Sequence, residues 1–126
     1  MPKKVLVIED NQLNMKLVKT LLKLLKIEVI EAETAEKGIR LANGCKPDLI
    51  LMDIQLPGMD GLEATRRIRK KHELNTIPIV ALTSYAMQGD EDKAIQAGCC
   101  GYITKPIDTR IFLKNIVDYL GESERT

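Results

Sequence analysis

Carboxylate, hydroxyl and ammonium side chains follow four short apolar runs of the sequence. These residues are Glu9, Asp10, Asp53, Thr83 and Lys105. Three carboxylates that meet in one place repel one another and raise one another's pKa unless a cation lies among them. The set offers oxygen ligands without histidine or cysteine, which favours a hard cation, Mg²⁺ or Mn²⁺, over Zn²⁺.

These groups are the ones that phosphoryl transfer requires. A carboxylate can act as the nucleophile and form an aspartyl phosphate, while a metal ion, Lys105 and Thr83 would hold the phosphoryl oxygens. No Ser-His or Cys-His pair accompanies the set, and neither glycine-rich phosphate-binding motif is found. Thr83 or Glu9 taken alone is more typical of a helix cap or a solvated loop. The prediction therefore depends on the whole set converging.

The apolar runs alternate with segments that have helical spacing. The runs are Val5–Ile8, Ile27–Ala32, Leu49–Met52, Ile77–Leu82 and Gly101–Thr104. This alternation predicts a five-stranded parallel sheet with helices on both faces, an α/β sandwich. Ligands of such sheets bind where the carboxyl ends of the strands meet, so the polar residues are expected to converge there. The second run lacks a following polar set of this kind, which favours a position at the sheet edge.

Helix boundaries are also predicted from the sequence. The first helix is assigned a face made of Leu13, Leu17, Thr20, Leu21 and Leu24. Thr34 and Asp108 are the expected N-caps of the second and fifth helices. The fourth helix is expected to span Met87–Ala97 and to stop at Gly98.

Length and charge restrict the class of protein. A chain of 126 residues with 44% hydrophobic and 29% charged residues is typical of one globular domain. The net charge of +1 indicates no general attraction to nucleic acid or membrane, and we interpret the basic run Arg66–Lys71 as the solvated side of a helix. The apolar runs are far shorter than a transmembrane span, and no signal-peptide layout is found. A cytoplasmic protein is predicted.

The cysteines and the single histidine receive structural interpretations. An odd cysteine count, Cys45, Cys99 and Cys100, indicates free thiols in a reducing compartment. A metal or redox role for Cys99-Cys100 lacks the CxxC spacing. His72 is an alternative phosphoacceptor, but it ends a basic helix, where a surface histidine interacts favourably with the helix dipole.

Four segments resemble the receiver domain of response regulators over essentially the whole chain. They are "VIEDNQLN" (Val7–Asn14), "PDLILMDIQLPGMDGLE" (Pro47–Glu63), "IPIVALTSYAMQGDEDKAIQAG" (Ile77–Gly98) and "GYITKPI" (Gly101–Ile107). The resemblance implies a flavodoxin-like fold with strand order 2-1-3-4-5. It places the receiver domain at residues 1–121 and leaves residues 122–126 as a polar tail.

The resemblance also implies a role for each site residue. Asp53 would accept the phosphoryl group, Asp10 and the backbone carbonyl of Gln55 would bind Mg²⁺ directly, and Glu9 would bind it through water. Thr83 would be the switch hydroxyl, with Ser84 beside it, and Tyr102 the switch aromatic. Lys105 would pair with the phosphoryl group and precede Pro106 in a cis peptide bond. Glu9 stands where an aspartate is more usual.

The implied function is a phosphorylation-controlled regulator. Its partners would be a histidine kinase or a histidine phosphotransfer protein, and a downstream protein bound through the fourth helix, fifth strand and fifth helix. It would be a monomer or weak homodimer that catalyses only its own phosphorylation and dephosphorylation.

Three alternatives remain open. A receiver cut from a hybrid histidine kinase would look similar, although Met1 and the polar tail favour a free-standing protein. A Mg²⁺-dependent phosphatase with an aspartyl nucleophile would need a second acid where Gln55 stands. A scaffold without phosphorylation predicts a broken acidic pocket, whereas this pocket is intact.

Overall fold

Residues 2–84 and 90–124, which the computed structural model describes, form one parallel sheet covered by helices on both faces. The strands are β1 (Lys4–Ile8), β2 (Glu28–Ala32), β3 (Leu49–Asp53), β4 (Ile79–Thr83) and β5 (Gly101–Thr104). The helices are α1 (Gln12–Leu24), α2 (Ala35–Cys45), α3 (Gly61–Lys70), α4 (Asp90–Ala97) and α5 (Thr109–Glu124), with a short 3-10 turn at His72–Leu74. The strand order β2-β1-β3-β4-β5 confirms the predicted flavodoxin-like topology and the edge position of β2.

The two faces of the sheet carry separate hydrophobic cores. Successive strand residues point to opposite faces, so Val5 and Val7 pack with α1 and α5, whereas Leu6 and Ile8 pack with α2, α3 and α4. The central strands β3 and β4 are buried at every position, and β1 at four of its five. This explains why their sequences are apolar throughout instead of alternating.

The buried face of α1 differs from the predicted one. It is made of Met15, Val18, Leu21 and Leu22. Leu13 and Leu24 are instead 78% and 67% exposed, and Thr20 is exposed as well. The predicted face was therefore wrong for these three residues and right for Leu21, and the half-buried Leu17 packs against the same core. Leucine occurs around most of this helix, so its spacing alone does not select the stripe that meets the sheet.

The predicted helix signals at Thr34, Asp108 and Gly98 are confirmed. The side chain of Thr34 accepts a hydrogen bond from the backbone N–H of Lys37, and Oδ1 of Asp108 accepts from two backbone N–H groups in the first turn of α5. Helix α4 ends before Gly98, whose φ of +120° suits a residue without Cβ. Residues 87–89 of the predicted fourth helix lie outside the described residues.

Helix α5 continues to Glu124, three residues beyond the expected boundary at residue 121. The proposed polar tail therefore starts within the last turn of this helix. None of the helices in the described part of the chain combines the length and apolar character needed to cross a membrane.

One member of the basic run has a structural role. Nε of Arg69 donates a hydrogen bond of 2.9 Å to the carbonyl of Gly98, and Nη1 donates to the carbonyls of Leu74 and Ile77 at 3.2 and 2.7 Å. Its neighbours Arg66, Arg67 and Lys70 are exposed, as predicted for the solvated side of a helix. Arg69 thus joins α3 to the segments that precede β4 and β5.

Candidate functional site

The predicted site residues lie where the strands end. Glu9 and Asp10 follow β1, Asp53 is the last residue of β3, Thr83 is the last residue of β4, and Lys105 follows β5. One carboxylate oxygen from each of Glu9, Asp10 and Asp53 lies within 4.8 Å of the others. Because β1 and β3 are neighbours in register in the sheet, their carboxyl ends bring these acids together.

Lys105 reaches this acidic cluster from the end of β5, the edge strand at the opposite side of the sheet from β2. Its Nζ atom lies 2.6 Å from Oε1 of Glu9 and 3.3 Å from Oδ2 of Asp53. Its backbone N–H donates a hydrogen bond of 2.7 Å to the carbonyl of Thr83, which ties the start of the β5–α5 loop to the end of β4. The Lys105–Pro106 peptide bond is cis. The ammonium therefore neutralises part of the charge of the cluster.

Glu9 is the most buried acid of the cluster, and its side chain has no exposed surface. Burial raises the pKa of Glu9 to about 7, assisted by its hydrogen bond with Asp53 and opposed by Lys105. Among the described residues, Oε1 of Glu9 accepts no hydrogen bond of regular geometry, although the ammonium is close. A buried carboxylate oxygen with unused accepting capacity, next to two further carboxylates, fits a hard divalent cation.

Asp53 differs from Glu9 in its protonation. Burial acts to raise the pKa of Asp53, but hydrogen bonds from Glu9 and from the backbone N–H of Gln55, together with Lys105, outweigh it and lower the pKa. The N–H of Gln55 lies 2.9 Å from Oδ1 of Asp53. Asp53 is therefore the ionised carboxylate of the pair, which is the state that a nucleophile requires.

Gly61, which was not among the predicted site residues, fixes the loop after Asp53. A Cβ atom on Gly61 would lie 2.3 Å from the backbone oxygen of Asp53. Helix α3 starts at this close contact, and Asp60 caps it by accepting a hydrogen bond from the N–H of Glu63. The signal that points to Gly61 is a glycine directly after the Asp N-cap of a helix that follows a functional strand end.

Thr83 and Tyr102 occupy neighbouring strands. Thr83 is buried at the end of β4, and Ser84 beside it is exposed. Tyr102 lies in β5, and 37% of its surface is exposed. A hydrogen bond with Glu91 of α4 raises the pKa of the Tyr102 hydroxyl. Tyr102 thus connects β5 to α4 in this structure.

The alternative site residues lie elsewhere. His72 is exposed in the 3-10 turn after α3. Cys99 is buried with its sulfur 3.9 Å from Oγ1 of Thr65, and burial raises the pKa of this thiol to about 11. Within the described ranges, Glu9, Asp10 and Asp53 form the one group of three or more His, Cys, Asp or Glu residues placed to hold a metal ion.

This arrangement defines the class of protein. The chain matches the model of the response regulator receiver domain over residues 5–117, and it belongs to that family. Members of the family act in two-component signalling, and phosphorylation on an aspartate is general among them. The expectation drawn from the four sequence segments is thereby confirmed.

The chain is similar to particular members of this family. It is 46% identical over 123 residues to the polar-differentiation response regulator DivK of Brucella anthropi. The alignment covers 98% of this chain and 100% of that protein. DivK of Brucella ovis is 45% identical over the same length.

Two solved structures of receiver domains are also similar to this chain. One is the receiver domain of the sensor histidine kinase PA1611 of Pseudomonas aeruginosa PAO1, which has a magnesium ion coordinated in its active-site cleft. It is 33% identical, with a TM-score of 0.89 over 96% of this chain and 99% of that one. The other is the receiver domain of Saccharomyces cerevisiae Ssk1 in complex with the histidine phosphotransfer protein Ypd1. It is 31% identical, with a TM-score of 0.85 over 94% of this chain and 88% of that one.

Proposed function

We propose that this receiver domain accepts a phosphoryl group on Asp53 and passes the signal on by binding another protein. The observation that carries the proposal is the contact of the buried Asp53 with Lys105, whose Nζ lies 3.3 Å from Oδ2 of Asp53. An anionic nucleophile beside a fixed cation is suited to attack on a negatively charged phosphoryl group.

The proposed metal is Mg²⁺, for which Mn²⁺ can substitute. Asp10, Asp53 and the backbone carbonyl of Gln55 would bind it directly, and Glu9 through water. The clustering of three carboxylate oxygens within 4.8 Å of one another supports this donor set. When bound, a divalent ion would neutralise part of the phosphoryl charge and orient the phosphoryl oxygens.

The protein residues would act as follows. An Oδ atom of Asp53 attacks the phosphorus, the new O–P bond forms as the P–N bond of a phosphohistidine breaks, and the imidazole nitrogen keeps the electron pair and takes up a proton. Lys105 then leaves Glu9 to pair with the phosphoryl oxygens, and the hydroxyl of Thr83 donates a hydrogen bond to them. Hydrolysis of the aspartyl phosphate restores Asp53.

The proposed phosphodonor is a histidine kinase or a histidine phosphotransfer protein. Membership of the receiver family supports this, as does the solved Ypd1–Ssk1 pair of relatives. The domain would be a regulator whose only catalysis is its own phosphorylation and dephosphorylation. The phosphatase alternative has no further support, because Gln55 occupies the place of its second acid. Cytoplasmic location and a monomeric or weakly dimeric state remain predictions.

The proposed output surface is the α4-β5-α5 face. Thr83 ends β4, and the next strand carries Tyr102, which is hydrogen-bonded to Glu91 of α4. Ile95 of α4 and Ile111 of α5 are exposed apolar residues on this side. A movement of Thr83 toward a phosphoryl group would therefore change the contacts of Tyr102 and the surface around it.

Intact-protein mass spectrometry after incubation with Mg²⁺ and acetyl phosphate tests the phosphoacceptor. The expected result is one phosphate adduct that requires Mg²⁺ and is absent from Asp53→Ala. Asp60→Asn is the matched control, because asparagine also caps a helix, and it should keep the adduct. An adduct that persists in Asp53→Ala, or none in the wild type, would overturn the assignment.

NMR amide shifts of the phosphorylated protein test the output surface. We expect the largest changes in α4, β5 and α5, with small changes in α2. Thr83→Ala should keep the phosphate adduct but reduce the changes at Tyr102. Changes restricted to the β3–α3 loop would contradict this surface.

A further inference from the structure

We propose that one face of α3 carries the change at a phosphorylated Asp53 to the junction between α4 and β5, residues 98–100. The face is formed by three residues that are four positions apart in the helix, Gly61, Thr65 and Arg69. Because it starts from a phosphoryl group on Asp53, this role rests on the proposed function. It would give the output surface a second input, separate from a movement of Thr83 at the carboxyl end of β4.

The amino end of α3 packs directly against the end of β3. A Cβ atom on Gly61 would lie 2.3 Å from the backbone oxygen of Asp53 and 2.6 Å from Cα of Ile54. The N–H of Gly61 also donates a hydrogen bond of 3.3 Å to the carbonyl of Ile54. Close packing of this kind leaves no free volume to absorb a displacement. A shift of the backbone at Asp53 would therefore move the first turn of α3.

Phosphorylation would act first on the loop between Asp53 and α3. The backbone N–H of Gln55 donates a hydrogen bond of 2.9 Å to Oδ1 of Asp53. Hydrogen bonds to an ionised carboxylate are about twice as strong as those to a neutral acceptor, and an acyl phosphate no longer carries the carboxylate charge. The loop would lose this restraint and gain the phosphoryl oxygens as new acceptors, which displaces the segment that Gly61 contacts.

Thr65 continues the connection in the middle of α3. Its side chain is fully buried, and its Oγ1 donates a hydrogen bond of 2.7 Å to the carbonyl of Gly61. The same oxygen lies 3.9 Å from the sulfur of Cys99, a buried residue of the junction. One hydroxyl in the core thus contacts both the start of α3 and the junction.

Arg69 makes the connection at the carboxyl end of α3. Its Nε donates a hydrogen bond of 2.9 Å to the carbonyl of Gly98. Gly98 has a φ of +120°, and a Cβ atom on it would lie 2.5 Å from Cγ of Arg69. The N–H of Cys100 donates a hydrogen bond of 2.8 Å to the carbonyl of Ile79. The junction therefore passes from the arginine directly into the pairing of β4 with β5.

The output surface would receive its two inputs at opposite ends. Thr83 acts at the carboxyl ends of β4 and β5, whereas Arg69 acts at the amino end of β5 and the carboxyl end of α4. Helix α3 has ten residues, which corresponds to a length of about 15 Å. A hydrogen-bonded helix of this length transmits a displacement of its first turn to its last.

NMR amide shifts of the whole protein before and after incubation with Mg²⁺ and acetyl phosphate test this role, with intact mass as the measure of the adduct. We expect changes in the wild type at residues 98–100 as well as at Thr83. Arg69→Lys should keep the adduct and the change at Thr83 but lose the changes at residues 98–100, because an ammonium does not reproduce the fixed geometry of the guanidinium. Thr83→Ala should keep the changes at residues 98–100.

Two variants of Thr65 separate transmission from a loss of stability. Thr65→Val removes the hydroxyl with little change in volume and should lose the changes at residues 98–100. Thr65→Ser keeps the hydroxyl and should keep these changes, although the missing methyl group leaves a cavity that costs stability. Arg66→Lys is the matched control on the exposed side of the same helix and should behave as the wild type. If Arg69→Lys does not fold, the Thr65 pair decides alone.

The possible failures are distinguishable. A wild type without an adduct would overturn the phosphoacceptor assignment and this role of α3 together. An adduct without changes at residues 98–100, or with changes there that survive Arg69→Lys or Thr65→Val, would overturn the role of α3 alone. Loss of these changes in Thr83→Ala would also overturn it, because the signal would then pass through β4.

Discussion

The Nζ atom of Lys105 lies 2.6 Å from Oε1 of Glu9, a carboxylate whose side chain has no exposed surface. The resemblance to receiver domains assigned this ammonium to the phosphoryl group. In the present structure it contacts both Glu9 and Asp53. Under the proposed function, the lysine would have two competing sets of partners, the carboxylates before phosphoryl transfer and the phosphoryl oxygens after it.

Removal of this ammonium should strengthen metal binding. In Lys105→Met the three carboxylates lose their internal cation, so attraction for a divalent ion rises. We expect the dissociation constant for Mg²⁺, measured by calorimetric titration, to fall at least about fivefold. Lys19→Met is the control, because Lys19 pairs with Glu31 at 2.9 Å outside the cluster. Unchanged or weaker Mg²⁺ binding in Lys105→Met would contradict the role of Lys105 as an internal counter-ion.

Stability of the metal-free protein should fall as the pH rises from about 4.5 to about 7. The pKa of Glu9 is raised from 4.5 to about 7 by burial, so in this range the folded protein binds more protons than the unfolded chain. Its contribution is fully present below the unfolded pKa and is lost as the pH rises through the folded pKa. The lowered pKa of Asp53 acts below 3.8, outside this window.

Thermal unfolding followed by circular dichroism between these pH values measures the effect. Glu9→Gln should remove the decrease in midpoint, because glutamine does not titrate. The control is Glu28→Gln, which changes an exposed carboxylate at the start of β2. This variant should still show the decrease in midpoint. A wild-type midpoint that rises steadily over this range would show that Glu9 is not the dominant titrating group.

Gly61→Ala should destabilise the protein. The added Cβ would approach the backbone oxygen of Asp53 to 2.3 Å, and overpacking of this kind costs about 1–3 kcal/mol. Gly44→Ala in α2 is the matched control, because no atom lies within 4 Å of its added Cβ, and helix propensity should raise stability by about 0.5–1 kcal/mol. Urea unfolding measures both free energies. Equal effects of the two substitutions would refute the close contact.

Arg69→Lys should destabilise the fold although the charge is kept. Three carbonyls accept hydrogen bonds from the Arg69 guanidinium, and a lysine ammonium does not reproduce this planar geometry. We expect a loss of about 1–3 kcal/mol in the free energy of unfolding. The control is Arg66→Lys, which alters an exposed residue paired with Glu63 at 3.9 Å. It should change the free energy of unfolding by less than about 0.5 kcal/mol. A near-zero change in Arg69→Lys would refute its structural role.

Much of the fold and of the acidic cluster was predictable from local patterns. Apolar runs that alternate with helical segments determine a parallel sheet, and parallel strands bring Glu9, Asp10 and Asp53 to one edge. The less predictable features depend on contacts between distant segments. The bond of Arg69 to Gly98 and the contact of Gly61 with Asp53 involve backbone positions that side-chain patterns do not report.

The sequence by itself determined the strand ends that carry chemistry, because strand periodicity and the following polar residue are local properties. Only the tertiary structure decided which stripe of α1 is buried, since leucines lie on most sides of that helix and the position of the sheet selects Val18 and Leu22 over Leu13 and Leu24. It likewise decided that Lys105 pairs with Glu9. That pairing requires β5 and β1, which are far apart in the chain, to end at the same edge of one sheet.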